Sequence, residues 1–200
     1  FNQSNSFVNG TFTGTLDGNG HTLQNLTING SDVNDIGLFK QLGTGARVSN
    51  VTLSAFNVTG QERVGLLVGH IDGGTDIEIT HIQVTASALG ASRNLGGLIG
   101  RIHNSSILID AINQNTNVYS AVYHAGGIVG LVANSSSVII QNVIQTGTIS
   151  GEDAEIGGII GLVASGDNVI TLSSISQHGS LLQIKTDSGT RVGGLIGELR

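Results

Sequence analysis

One phrase returns along this chain at nearly constant intervals, and that repetition restricts the fold more than any other feature. It reads Gly96-Gly97-Leu98-Ile99-Gly100-Arg101-Ile102, preceded by Gly65-Leu66-Leu67-Val68-Gly69-His70-Ile71. It is followed by Gly126-Gly127-Ile128-Val129-Gly130-Leu131-Val132, Gly157-Gly158-Ile159-Ile160-Gly161-Leu162-Val163 and Gly193-Gly194-Leu195-Ile196-Gly197-Glu198-Leu199. A degenerate copy, Gly37-Leu38-Phe39-Lys40-Gln41-Leu42, comes first. Counted at Lys40, Gly69, Gly100, Gly130, Gly161 and Gly197, the steps are 29, 31, 30, 31 and 36 residues. Such a period means stacked units that each touch their neighbours, not one closed core.

A second phrase keeps the same period: two apolar residues with two residues between them. It reads Leu23-Gln24-Asn25-Leu26, Val48-Ser49-Asn50-Val51, Ile79-Thr80-His81-Ile82, Ile109-Asp110-Ala111-Ile112, Ile140-Gln141-Asn142-Val143 and Leu172-Ser173-Ser174-Ile175. Thirty residues at roughly 3.3 Å each give path for three short strands and three corners, too little for a βαβ unit with its loops. The segments carry Val, Ile, Thr, Ser and Gly, which suit strands, where helical repeats want Ala, Leu, Glu and Lys. The expected fold is therefore all-β: a parallel β-helix of about six coils, with the right-handed sense that parallel crossovers prefer. It forms a single solenoid over 1–200. Residues 1–35 make an atypical first coil, 36–64, 65–95, 96–125, 126–156 and 157–192 regular coils, and 193–200 the start of another. Thr11–Leu16 reads as a strand and Asp17-Gly18-Asn19-Gly20 as a hairpin turn. The last regular coil has a longer loop between His178 and Arg191, and the unpolar end of the chain at Arg200 suggests a continuation or a docked copy.

Alternation within the glycine phrase assigns its faces. The set ending in Leu42, Ile71, Ile102, Val132, Val163 and Leu199 stays apolar and points inward, with glycines at inward positions implying a narrow lumen. The other set ends in Gln41, His70, Arg101, Leu131, Leu162 and Glu198 and faces outward. By that count Phe39, Val68, Ile99, Val129, Ile160 and Ile196 form an exposed apolar stripe, a candidate interaction surface.

Composition narrows the function. Charged residues are 11% and the net charge is −6, with no basic run, so neither nucleic acid nor an anionic membrane is an expected partner. There is no Cys, which removes disulfides and thiolate chemistry, and no apolar run long enough for membrane insertion. Aromatic residues are 4% with no Trp, which disfavours a broad stacking platform.

The glycine phrase and the leader Gly14-Thr15-Leu16-Asp17-Gly18-Asn19-Gly20-His21-Thr22-Leu23-Gln24-Asn25-Leu26-Thr27-Ile28 resemble the GLUG-motif repeats of large bacterial surface and secreted proteins. That group includes filamentous-haemagglutinin-like adhesins and the non-catalytic repeat regions of IgA-specific metallopeptidases. The resemblance covers nearly all the chain and implies a fold and a cell-surface or extracellular location more than an activity.

Candidate chemistry is sparse. None of the six His begins a His-Glu-x-x-His zinc motif, so peptidase chemistry does not follow from the resemblance. His70, Arg101 and Glu198 share one outward column but are separated by Leu131 and Leu162. Asp72, Asp76 and Glu78, or Glu152, Asp153 and Glu155 with Lys185 and Arg191 on the last loop, would be the acids of a polysaccharide-active enzyme. No cofactor is expected. Calcium is a weak alternative at Gly73-Gly74-Thr75-Asp76-Ile77-Glu78 or Asp17-Gly18-Asn19. Among the Asn-x-Ser/Thr sequons, Asn104 and Asn134 are the candidate glycosylation sites. Asn25, Asn50 and Asn142 are instead read as a buried amide ladder. A Thr-based ice-binding face does not recur from coil to coil.

The resulting expectation is a non-enzymatic structural and adhesive module of a bacterial surface protein. Its partners would be the rest of a longer protein, a host or cell-surface glycan or protein, or further copies of itself. The alternatives are a self-assembling fibre subunit and, further off, a β-helix enzyme.

Overall fold

In the computed structural model, which describes residues 2–184 and 191–200, every paired strand is parallel to its neighbour and coil lies upon coil. One sheet collects the strands that carry the glycine phrases: Val8–Phe12, Phe39–Leu42, Val68–Asp72, Ile99–His103, Val129–Ala133, Ile160–Val163 and Ile196–Leu199, in that order. A 15-stranded sheet wraps the remaining faces. Its strands run through corners without losing pairing. Ile77–Gly96 thus pairs with Arg47–Ser54 and then Asn57–Gly65 on one side, and with Ser106–Ser120 on the other. The fold is a parallel β-solenoid of about six turns.

Equivalent aliphatic side chains form continuous columns. Leu98, Ile128 and Ile159 are fully buried, and the Leu98 and Ile128 amides donate to the carbonyls of Ile128 and Ile159 at 3.0 and 2.9 Å. Ile71, Ile102, Val132 and Val163 are in register in the next column, none more than 2% exposed. Each such side chain contributes about 1.5–3 kcal/mol on leaving water.

The apolar stripe is not exposed, which corrects the face assigned by alternation. Phe39, Val68, Ile99, Val129 and Ile160 are at most 2% exposed, and Ile196 is half-buried. Residues 97 and 98 form a bend between the strands ending at Gly96 and beginning at Ile99. There the amides of Leu98 and Ile99 both donate to the Ile128 carbonyl, and the pairs Leu67/Val68, Ile128/Val129 and Ile159/Ile160 repeat the pattern. In a pleated strand successive N–H groups point to opposite edges, so two aimed at one carbonyl break the pleat, as in a bulge. The alternation is interrupted there, and both residues are buried in the core.

Two readings of the first coil are also corrected. Thr15–Asp17 and Thr22–Gln24 are not hairpin arms: both pair in parallel with Arg47–Ser54, and the turn between them is an excursion from one line of pairing. Parallel pairing on a longer neighbouring strand offers more ladder hydrogen bonds than two three-residue arms could exchange. Leu16, not Leu23, therefore lies beside Val48, and Leu23 lies beside Leu53.

The Asn ladder has a different cause from the one expected. Asn50, His81, Ala111, Asn142 and Ser174 share one column and all have φ between 53° and 55°. Asn is there because it tolerates the left-handed conformation. Asn50 and Asn142 are exposed and donate to Asp17 at 3.0 Å and Asp110 at 2.8 Å, while Asn25 stands in another column. Ala111 lacks that tolerance. Ala111→Gly is expected to stabilise the protein by about 1 kcal/mol, read as a higher thermal midpoint; an unchanged or lower midpoint would refute a strained corner.

The buried amides are instead Gln114 and Gln145, with half-buried Gln177 in register on the next coil. Gln177 Nε2 donates to Gln145 Oε1 at 3.1 Å, Gln145 Nε2 to the Gly147 carbonyl at 2.9 Å, and Gln114 Nε2 to the Gly127 carbonyl at 3.0 Å.

Candidate functional site

With so few charges, where they gather matters. Two residues before the first or only glycine of each phrase stands Asp35, Arg63, Asn94, His124, Glu155 or Arg191. Pairing of the intervening residues puts these six into one column along the corner that leads into the seven-stranded sheet. Asp35, Arg63 and Asn94 have φ of 62°, 58° and 51°, so the corner is left-handed in its first coils. The outward column Gln41, His70, Arg101, Leu131, Leu162 and Glu198 runs along the adjoining sheet.

Two clusters result. In the first, the Arg63 guanidinium donates to Asp35 through Nε and to Glu62 at 3.0 Å, and Asn94 Nδ2 donates to Glu62 at 3.3 Å. His70 Nδ1 lies 3.7 Å from Asp35. Burial lowers the His70 pKa, so the ring is neutral at pH 7, and burial likewise lowers the Arg101 guanidinium from its ordinary value. His103 Nδ1 and Asp72 are 2.7 Å apart, and this contact holds the Asp72 carboxyl below its ordinary range.

In the second cluster Glu155 meets His124 Nδ1 at 2.8 Å and Arg200 at 3.4 Å, while Glu198 meets Arg191 at 3.0 Å and Arg200 at 2.8 Å. The His124 hydrogen bond depresses the Glu155 pKa. A carboxyl whose folded pKa lies below its unfolded value of about 4.5 adds stability above that pH and loses it as pH falls through the folded value. Glu155→Gln is therefore expected to cost about 2 kcal/mol at pH 7 and progressively less as pH falls below about 4.5, in denaturant titrations across that range. A penalty independent of pH would contradict the assignment.

Beside the first cluster a groove of about 460 Å³ is lined by Asn34, Gln61, Glu62, Arg93 and Val122. The Arg93 guanidinium sits 4.6 Å from the centroid of the Tyr123 ring. This combination of cation, amides and ring was not legible from the spacing of the two phrases, although the polar residue before every glycine phrase was there to be read.

The other sequence candidates are scattered. Arg47 bridges Asp76 at 3.1 Å and Glu78 at 2.7 Å, so the loop offered to calcium holds an arginine. Asp17 accepts from the Asn19 amide and from Asn50. Among the described residues no group of three or more His, Asp or Glu is placed to hold a metal ion. Tyr119 donates to Glu152 at 2.6 Å, and Lys185 lies outside the described residues. So does part of the long last loop. Asn104 and Asn134 occupy matching exposed left-handed turns, with Asn134 Nδ2 2.8 Å from His103 Nε2. The serines after them turn inward: Ser136 Oγ is buried and receives the Ser105 amide, and Ser105 Oγ receives the Gly74 amide.

No family model matches this chain, and no solved structure matches it. It is 40% identical over 100 residues to halomucin of Haloquadratum walsbyi, which covers 50% of this chain and 1% of halomucin. It is 30% identical over 136 residues to an immunoglobulin A1 protease of Streptococcus sanguinis, covering 64% of this chain and 7% of that protein. A Streptococcus pneumoniae immunoglobulin A1 protease is 30% identical over 132 residues, 62% of this chain and 6% of the relative. The chain thus matches a small part of each of these long proteins.

Proposed function

We propose that this chain is a non-enzymatic extracellular module of a large surface protein, a rigid spacer that also presents an adhesive corner. The observation that carries this reading is the uninterrupted stack of coils, whose sequence recurs as a small part of much longer proteins. A stack with nearest-neighbour contacts lengthens by adding coils, which suits a spacer. Two of the relatives are named for cleaving an immunoglobulin, a substrate met outside the cell, and this supports the location. The glycine phrases fit as GLUG-motif repeats within the same reading.

The carboxylates support it as well. Asp17, Asp72, Asp110 and Glu155 are each displaced downward. Glycoside cleavage needs one carboxyl raised enough to donate a proton near neutral pH. Incubation with acidic polysaccharides and with immunoglobulin A1 is expected to yield no cleavage products. Turnover abolished by Glu155→Gln would overturn the non-enzymatic reading.

Self-assembly is a second reading, favoured by apolar side chains exposed on the flank of an interior coil, Ile139 at 39% and Ile144 at 46%. Sedimentation that stays monomeric as concentration rises would remove it.

A further inference from the structure

The groove beside the first charge cluster holds polar groups that the fold leaves unused. We infer that it binds a saccharide bearing one carboxylate, an inference that rests on the adhesive reading above and names the partner of that corner. The groove crosses four coils, from Asn34 to Val122, and coils lie about 4.8 Å apart, so it is about 14 Å long. That length accommodates an acidic sugar with a neighbouring unit.

Arg93 is the centre of the inference. Tyr123 holds its guanidinium in place, yet among the described residues it has no hydrogen-bond or ion-pair partner. Glu62, its neighbour on the adjacent coil, is occupied by Arg63 and Asn94. A guanidinium fixed by a ring, with its planar donors free, suits a carboxylate that accepts two hydrogen bonds. Asn34 lines the same groove and adds a side-chain amide. Gln61 adds an amide, and Val122, 41% exposed, offers apolar surface to a ring face.

Charge selects among ligands. Asp35 and Glu62 are engaged by Arg63 and Asn94, which leaves Arg93 to meet a single added negative charge. A neutral sugar would leave Arg93 without an acceptor, and a polyphosphate chain would bring several charges against the two carboxylates.

The test is a titration of the isotope-labelled full chain, followed by backbone amide resonances. The ligands are 3′-sialyllactose, a glucuronate-containing hyaluronan tetrasaccharide, and lactose as the neutral control; the first two separate the sources of carboxylate. One acidic ligand is expected to shift the amides around Asn34, Gln61, Glu62 and Arg93, with lactose weaker by about tenfold or more. Arg93→Gln should weaken that ligand by about tenfold at an unchanged thermal midpoint, and Arg93→Lys by less. Equal binding of lactose, no shift from either acidic ligand at millimolar concentration, or full affinity in Arg93→Gln overturns the inference. Shifts confined to another face overturn the groove while leaving the adhesive module standing.

Discussion

Gly130→Val is expected to destabilise the solenoid by about 3 kcal/mol or more, enough to remove a cooperative thermal transition in a marginally stable chain. A Cβ at Gly130 would lie 2.6 Å from the Asn94 carbonyl carbon and 2.6 Å from the Gly100 oxygen. Both are backbone atoms of the preceding coil and cannot rotate away. The same holds down the column: a Cβ would meet Asp35 at 2.3 Å from Gly69, Arg63 at 2.4 Å from Gly100, and the Gly130 oxygen at 2.7 Å from Gly161. Two stretches of chain pass backbone to backbone at this point, and φ is not positive there, so the requirement is for space and not for conformation. Gly10 supplies the control, since nothing lies within 4 Å of its Cβ position. Gly10→Val should stay within about 0.5 kcal/mol of the parent. Denaturant midpoints for the two variants decide the matter, and a tolerated Gly130→Val would mean the lumen is wider than described.

Gln145→Leu should cost about 2–3 kcal/mol despite nearly conserving volume. Gln145 is fully buried, and its loss strips the Gly147 carbonyl of its side-chain donor and Gln177 Nε2 of one of its two acceptors. In the dry interior the Gly147 carbonyl finds no water in exchange. Space around this ladder is made by the second glycine of each phrase: a Cβ at Gly97 would sit 1.9 Å from Gln114 Nε2, and at Gly158 2.6 Å from Gln177 Cγ. Gln145→Leu with an unchanged denaturant midpoint would show that the amides are packing units and nothing more.

Those two glycine columns show how much was legible. The repeat itself, the parallel stacking and the inward glycines follow from period and residue type, because each coil must offer the next a matching set of strands and side chains. The Gln column was equally present in the sequence, but Gln114, Gln145 and Gln177 occupy the place of Val84 in an earlier coil. A polar residue in an aliphatic column reads as exposed until the hydrogen bonds that satisfy it are seen. The charged corner was hidden differently. Asp35, Arg63, Asn94, His124, Glu155 and Arg191 share a position but no chemical type, and a search for recurring residues passes over them.

What the sequence determined by itself is the period, and with it an all-β stack, since a thirty-residue unit repeated with one apolar pattern has few other ways to bury that pattern. What tertiary structure alone decided is the side on which particular residues lie. Ile99 moved from surface to core because two successive amides share one carbonyl, a broken pleat that alternation cannot register. Arg93 and Tyr123, thirty positions distant, became neighbours because coils lie about 4.8 Å apart, a proximity that no local pattern contains.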